Sequence, residues 1–112
     1  MARKAAWILI AGAFGALCAA PGATAKACKP VVNPYPGTRY DGVNLRRIRA
    51  IGVSCATARR VARGAHRKAL GIPPVAPIRR FTWHRWRVSG DLRPASDVYV
   101  ARRGGRRVKW RF

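Results

Sequence analysis

An uncharged apolar run close to the amino terminus most constrains this chain, because it leaves few residues to form a folded domain. Arg3 and Lys4 give a positive start, residues 5–20 carry no charge, and small residues follow at 23–25. This order is typical of a cleaved secretory signal peptide. We therefore predict that residues 1–25 are a signal peptide and that the protein is secreted, either released outside the cell or associated with its wall.

The uncleaved alternative is a membrane anchor, but the 16-residue run is short for that purpose, since a helix that spans a bilayer needs about 20 apolar residues. A second cleavage position lies just before Cys28. Removal of residues 1–25 leaves 87 residues, and secreted domains of this size commonly depend on disulfides. Cys18 departs with the signal, so we predict a bridge between the remaining Cys28 and Cys55. In the loop-entropy description such a bridge contributes roughly 3–4 kcal/mol.

The chain is strongly basic, with 24 Lys and Arg against 3 Asp and no Glu, a formal charge of +21. The length excludes a dinucleotide-dependent oxidoreductase. Three isolated Asp disfavour hydrolysis by paired carboxylates, and two Cys with two scattered His do not make a metal site. We expect no cofactor, no metal and no enzymatic activity. The charge should repel itself, so salt or polyanions should stabilise the fold.

Secondary structure can be assigned from the periodicity of the mature segment. Residues 26–42, rich in Pro, Gly and Asn, predict an irregular arm, and residues 43–112 a single small domain. Residues 43–53 predict a strand with a bend or bulge near Gly52. Residues 54–70 predict a helix, because Ser54 can cap it and a narrow, Ala-rich apolar stripe recurs at helical spacing.

The remaining apolar segments predict strands at 78–88, 98–102 and 107–112. The last has a period of two, with apolar and cationic residues alternating. A two-residue Gly104-Gly105 turn would place Val100 opposite Lys109, so we predict an extra residue in this loop, with Val100 facing Val108 or Trp110. The predicted fold is α+β: one helix packed on a small antiparallel sheet of three to four strands, preceded by the irregular arm.

Two segments carry a resemblance to known sequences: I-R-A-I-G-V-S-C-A-T-A-R-R-V at 48–61, and R-G-G-R-R-V at 103–108. They resemble a loose group of small secreted proteins of actinobacteria, in which G-V-S-C-x-x-A-R opens a helix. The resemblance implies export and a small α+β fold, and it carries no activity or catalytic residues. The group's second cysteine pair is absent here: Trp83 and Val100 stand where cysteines are expected, which predicts that these two side chains pack together instead.

The basic residues of the strand region are the main candidates for function. Arginine forks bind phosphate and carboxylate groups in pairs. We predict that a monomer binds anionic envelope polymers or lipid head groups, with nucleic acid as another possible partner; the alternative is an incidental, solvated basic surface. The predicted anion-binding residues are Arg85, Arg87, Arg102, Arg107, Lys109 and Arg111.

Trp83 and Trp86 lie in an aromatic–cationic segment that could insert at a lipid interface or stack on bases. On one continuous strand they would point to opposite faces. We predict that Trp83 is in the core and that Trp86 is the exposed aromatic residue.

Two histidines leave one enzymatic alternative, a ribonuclease-like site. His84 would be the base, His66 the acid and Arg85 the phosphate clamp. Nothing in the sequence shows that the two imidazoles meet, so this remains the second hypothesis, beside simple binding of extracellular nucleic acid.

Overall fold

The computed structural model describes residues 24–73 and 77–112, which form one helix and six strands. The predicted signal peptide lies almost wholly outside the described residues. In chain order the elements are β1 (Lys26–Ala27), β2 (Arg46–Ile51), α1 (Cys55–Leu70), β3 (Ile78–Trp83), β4 (Trp86–Leu92), β5 (Asp97–Arg103) and β6 (Arg106–Arg111).

The strands form a single antiparallel sheet in the order β1-β2-β6-β5-β4-β3. The prediction of three to four strands is therefore wrong, for two reasons. The arm is not irregular throughout, because it begins with β1 paired to β2. The segment 78–88, predicted as one strand, is instead most of a hairpin in which β3 turns into β4 through His84 and Arg85.

Helix α1 starts where the sequence predicts, because the Ser54 side chain accepts a hydrogen bond from the Thr57 backbone N–H at 3.2 Å. Its buried stripe is mostly alanine, so the helix lies close to one face of the sheet. The predicted disulfide is confirmed: Cys28, just after β1, is bonded to Cys55, the first residue of α1, with their Cα atoms 5.4 Å apart. The bridge joins the edge of the sheet to the start of the helix.

The core lies between α1 and the covered face of the sheet. Its largest fully buried side chains are Trp110, Tyr99, Leu45, Ile48, His66 and Val108. Tyr99 and Trp110 are opposite each other on β5 and β6, and their rings stack with centroids 5.4 Å apart. Buried tyrosine and tryptophan thus replace the aliphatic residues that a small core more often uses.

The assignment of the two hairpin tryptophans is wrong for Trp86, which is only 4% exposed. Trp83 and Trp86 are directly opposite across the β3–β4 turn, so both side chains lie on the covered face. Trp83 is partly buried and packs over Gly64 of α1, where a Cβ atom would lie 2.1 Å from the indole. Val100 points to the other face, so the expected packing of Trp83 against Val100 does not occur.

The register of the β5–β6 hairpin also differs from the prediction. Gly104-Gly105 forms a two-residue turn without an extra residue, and Val100 does face Lys109. The prediction failed because it placed Val98 and Val100 in the core, whereas the buried residues of β5 are Tyr99 and Ala101. Gly90 makes this possible, since a Cβ there would lie 2.3 Å from the Tyr99 ring.

The rest of the arm is an ordered loop held by side-chain hydrogen bonds. Asp41 accepts from the Gly37 backbone N–H at 2.9 Å and from the Asn33 amide at 3.1 Å. These hydrogen bonds lower the pKa of the Asp41 carboxyl. The loop carries Tyr35 into the core, where its ring meets Phe112 edge to face. Strand β2 contains a bulge at Arg47, and a bend follows at Gly52.

Candidate anion-binding face

The face of the sheet opposite α1 is open, and we call it the cationic face. Alternation along each strand directs apolar side chains toward the helix and basic ones away from it. The basic residues that the register places on this face are Arg46, Arg49, Arg80, Arg87, Arg102, Arg107, Lys109 and Arg111. All are exposed except Arg111, which is half-buried.

Three arginines form a row across β4, β5 and β6 on the cationic face, near the end of the sheet where the β3–β4 and β5–β6 turns lie. Arg87 is directly opposite Arg102 on β5, and Arg102 is directly opposite Arg107 on β6. Neighbouring strands are about 4.8 Å apart, and like charges directly opposite each other are destabilising. The row therefore concentrates positive charge at a position where it does not stabilise the free protein.

Carboxylates do little to neutralise this face. Asp91 lies on it, beside Val98, but its side chain is paired with Arg93 at 3.0 Å. A shallow depression of about 280 Å³ on the face is lined by Arg49, Arg107 and Lys109, among others. The cationic face thus carries basic residues with apolar residues such as Val100 between them. Its depression gives room for an elongated anion.

Five of the six predicted anion-binding residues lie together here: Arg87, Arg102, Arg107, Lys109 and Arg111. Arg85 does not, because it occupies the β3–β4 turn. The six predicted residues leave out Arg46, Arg49 and Arg80, which also lie on the face. The alternation of Arg49 with Ile48 and Ala50 was a usable signal, whereas Arg80 could be placed only once the pairing of β3 with β4 was known.

The structure does not bring the two histidines together. His66 is fully buried on the face of α1 that packs against the sheet, whereas His84 is exposed in the β3–β4 turn. The Nδ1 atom of His66 is 2.6 Å from the Tyr35 hydroxyl, and its ring packs against Phe112 and Tyr99. Burial, helped by the nearby Arg79 charge, lowers the pKa of His66 to about 3. Burial likewise raises the pKa of Tyr35 to about 12. This pair is a neutral part of the core.

Other site chemistry is scarce in the part of the chain that the structure describes. Residues 24–73 and 77–112 contain no group of three or more His, Cys, Asp or Glu side chains placed to hold a metal ion. Within the same ranges no helix has the length and apolar character to cross a membrane. Comparisons of the chain with known protein families, curated proteins and solved structures find no match. The resemblance to secreted actinobacterial proteins stays a prediction.

Proposed function

We propose that this protein is a secreted, non-enzymatic domain that binds anionic polymers of the cell envelope through its cationic face. The observation that carries the proposal is the Arg87–Arg102–Arg107 row, in which like charges stand directly opposite one another on an open sheet. An anionic chain laid across the strands meets one guanidinium on each of three neighbouring strands. The Cys28–Cys55 disulfide supports secretion, because such bridges persist in oxidising compartments.

The shape of the face favours a polymer over a compact ligand. Its cations are spread over five strands, from Arg49 on β2 to Arg80 on β3. Arginine binds phosphate and carboxylate groups through parallel hydrogen bonds, so each contact adds geometry as well as charge. Many weak contacts along one chain then act together, since each later contact forms at a high effective concentration.

Retention on immobilised polyphosphate tests the proposal. The oxidised protein is compared with the triple variant Arg102→Gln, Arg107→Gln, Lys109→Gln. The matched control is Arg39→Gln, Arg63→Gln, Arg67→Gln, which removes the same charge from the arm and the helix. We expect the first variant to elute at clearly lower salt than the control. Elution of both at the same salt would refute a role for the cationic face.

The kind of polyanion is resolved by competition. Soluble polyphosphate, single-stranded DNA and phosphatidylglycerol vesicles are each added to the retained wild-type protein at about 0.15 M salt, where diffuse attraction is largely screened. The proposal expects polyphosphate to release the protein at the lowest concentration of charge. More effective release by DNA would favour the nucleic-acid alternative, and more effective release by vesicles would favour a membrane surface.

A further inference from the structure

A second cationic site lies on the helix side of the sheet, at the end where the β3–β4 and β5–β6 turns meet. A cavity of about 390 Å³ opens there between these turns and the first turns of α1. Three arginines, Arg60, Arg103 and Arg106, line it together with His84 and the two tryptophans of the β3–β4 hairpin. We call this cavity the turn pocket.

Positive charge in the turn pocket has no acidic counterpart. Arg103 on β5 and Arg106 on β6 are directly opposite each other, so their two side chains leave the backbone at neighbouring positions. All three Asp residues of the chain lie elsewhere: Asp41 in the arm, and Asp91 and Asp97 toward the opposite end of the hairpins. An anion in the pocket would therefore meet three guanidinium groups without competition.

Backbone geometry at the β3–β4 turn sets the position of one wall of the pocket. His84 and Arg85 have φ angles of 46° and 68°, the left-handed region that favours glycine and asparagine. A two-residue hairpin turn requires this conformation at both central positions, and histidine and arginine adopt it at a cost in stability. Here the turn places the His84 ring 4.3 Å from the Trp83 ring at the wall of the pocket.

We propose that the turn pocket binds a phosphate monoester, with the phosphate on Arg60, Arg103 and Arg106 and the organic group against Trp83 and His84. A phosphate monoester carries up to two charges and three terminal oxygens, which suits several arginine forks at once. The cavity volume is in the range of small-molecule sites. The aromatic wall gives the organic group an apolar surface that inorganic phosphate would not use.

This site is distinct from the cationic face. Arg103 and Arg106 alternate along their strands with Arg102 and Arg107, so the two pairs point to opposite sides of the same sheet. Each pair carries the same charge, and each arginine of one pair is adjacent in sequence to an arginine of the other pair. The second pair is therefore a matched control for the first, and the two proposals can fail separately.

Calorimetric titration of the oxidised protein at about 0.15 M salt tests the proposal with phenyl phosphate, inorganic phosphate and phenol. We expect phenyl phosphate to bind most tightly, and phenol not to bind measurably. Arg103→Gln with Arg106→Gln should weaken phenyl phosphate binding about tenfold or more, because it removes charge-assisted hydrogen bonds. Arg102→Gln with Arg107→Gln should weaken it by less than about threefold, since only distant charge is lost.

Equal weakening by the two double variants would overturn the proposal, because binding would then follow total charge. Equal affinity for phenyl phosphate and inorganic phosphate would also overturn it, since the aromatic wall would contribute nothing. If the pocket variant does not fold, Arg60→Gln on α1 replaces it, with Arg63→Gln as control. On polyphosphate the pocket variant should elute like Arg63→Gln with Arg67→Gln, which removes the same charge from the helix, so loss of the pocket does not imply loss of the cationic face.

Discussion

The contact between Gly64 and Trp83 shows how one missing side chain sets the distance between helix and sheet. A Cβ atom at position 64 would lie 2.1 Å from the indole, well inside van der Waals contact. Glycine weakens a helix by about 1 kcal/mol relative to alanine, so its presence inside α1 needs a reason. The reason is the Trp83 indole, which occupies the space that a side chain at position 64 would need.

Gly64→Ala is therefore expected to destabilise the protein by about 1–2 kcal/mol, because overpacking costs more than the gain in helix propensity. The measurement is the free energy of unfolding in urea. In a Trp83→Ala background the same substitution should instead stabilise by about 1 kcal/mol. Destabilisation of equal size in both backgrounds would show that the indole is not the cause.

Burial of His66 gives the protein a defined response to acid. Its pKa is lowered from 6.5 to about 3 in the fold, so between these values the unfolded chain binds a proton that the folded protein does not. Stability is then complete above about pH 6.5 and falls as the pH decreases, by up to about 1.4 kcal/mol per unit.

The variant His66→Gln, whose amide can still bond the Tyr35 hydroxyl, should have lower stability at neutral pH but a flatter pH profile. Urea unfolding between about pH 5 and 6.5 measures this, because ordinary carboxylates titrate mainly below that range. An unchanged slope in the variant would mean that another group is responsible for the acid sensitivity.

Among the elements, the β3–β4 turn has two consecutive non-glycine residues in a costly backbone conformation. His84 and Arg85 both have positive φ, which asparagine and glycine tolerate much better. The double substitution His84→Asn, Arg85→Gly is expected to raise the free energy of unfolding by about 1 kcal/mol or more. Thermal unfolding checks this, with Gly104→Ala, at φ 59°, as the reciprocal change that should lower Tm. A lower Tm for the double variant would contradict the account of the turn.

This turn also shows where sequence-based prediction stopped. Helix α1 could be placed because the Ser54 cap and the alanine stripe are both local signals in the sequence. The β3–β4 hairpin could not, because His-Arg carries none of the usual turn residues. Because this turn was not predicted, the predicted sheet had one strand too few, and Trp83 and Trp86 were placed on opposite faces.

The cationic face was largely predictable, since alternation along β6 alone assigns Arg107, Lys109 and Arg111 to one side. The register of β5 was not, because the valines of this strand, which a hydrophobic pattern puts inside, are outside. Tyr99 replaces them in the core only because Gly90, on the neighbouring strand, leaves space for its ring. The turn pocket combines α1 with two hairpins, so it could be found only after all three were positioned.

At the scale of the molecule, charge repulsion opposes folding. The described residues hold all three Asp, and one carboxylate–arginine ion pair, Arg93 with Asp91, is formed among them. The Debye length falls from about 30 Å at 0.01 M salt to about 3 Å at 1 M. We expect Tm to rise by several degrees over this range, as measured by circular dichroism. The variant Arg102→Gln, Arg107→Gln should show a smaller rise, and a Tm that falls with added salt would contradict the prediction.

The two borders of the sheet are unequal. β1 is two residues long and is anchored by the neighbouring disulfide, whereas the six residues of β3 pair with a strand on one side only within residues 24–73 and 77–112. Lys68 donates to one β3 carbonyl, that of Thr82, at 2.7 Å, and the exposed Arg80 gives the border a charge that keeps strands of other molecules away. Added salt that stabilises each molecule also screens the electrostatic repulsion between the β3 edges of different molecules. We therefore expect fibrous self-association to begin at high salt concentration, through pairing between molecules at β3.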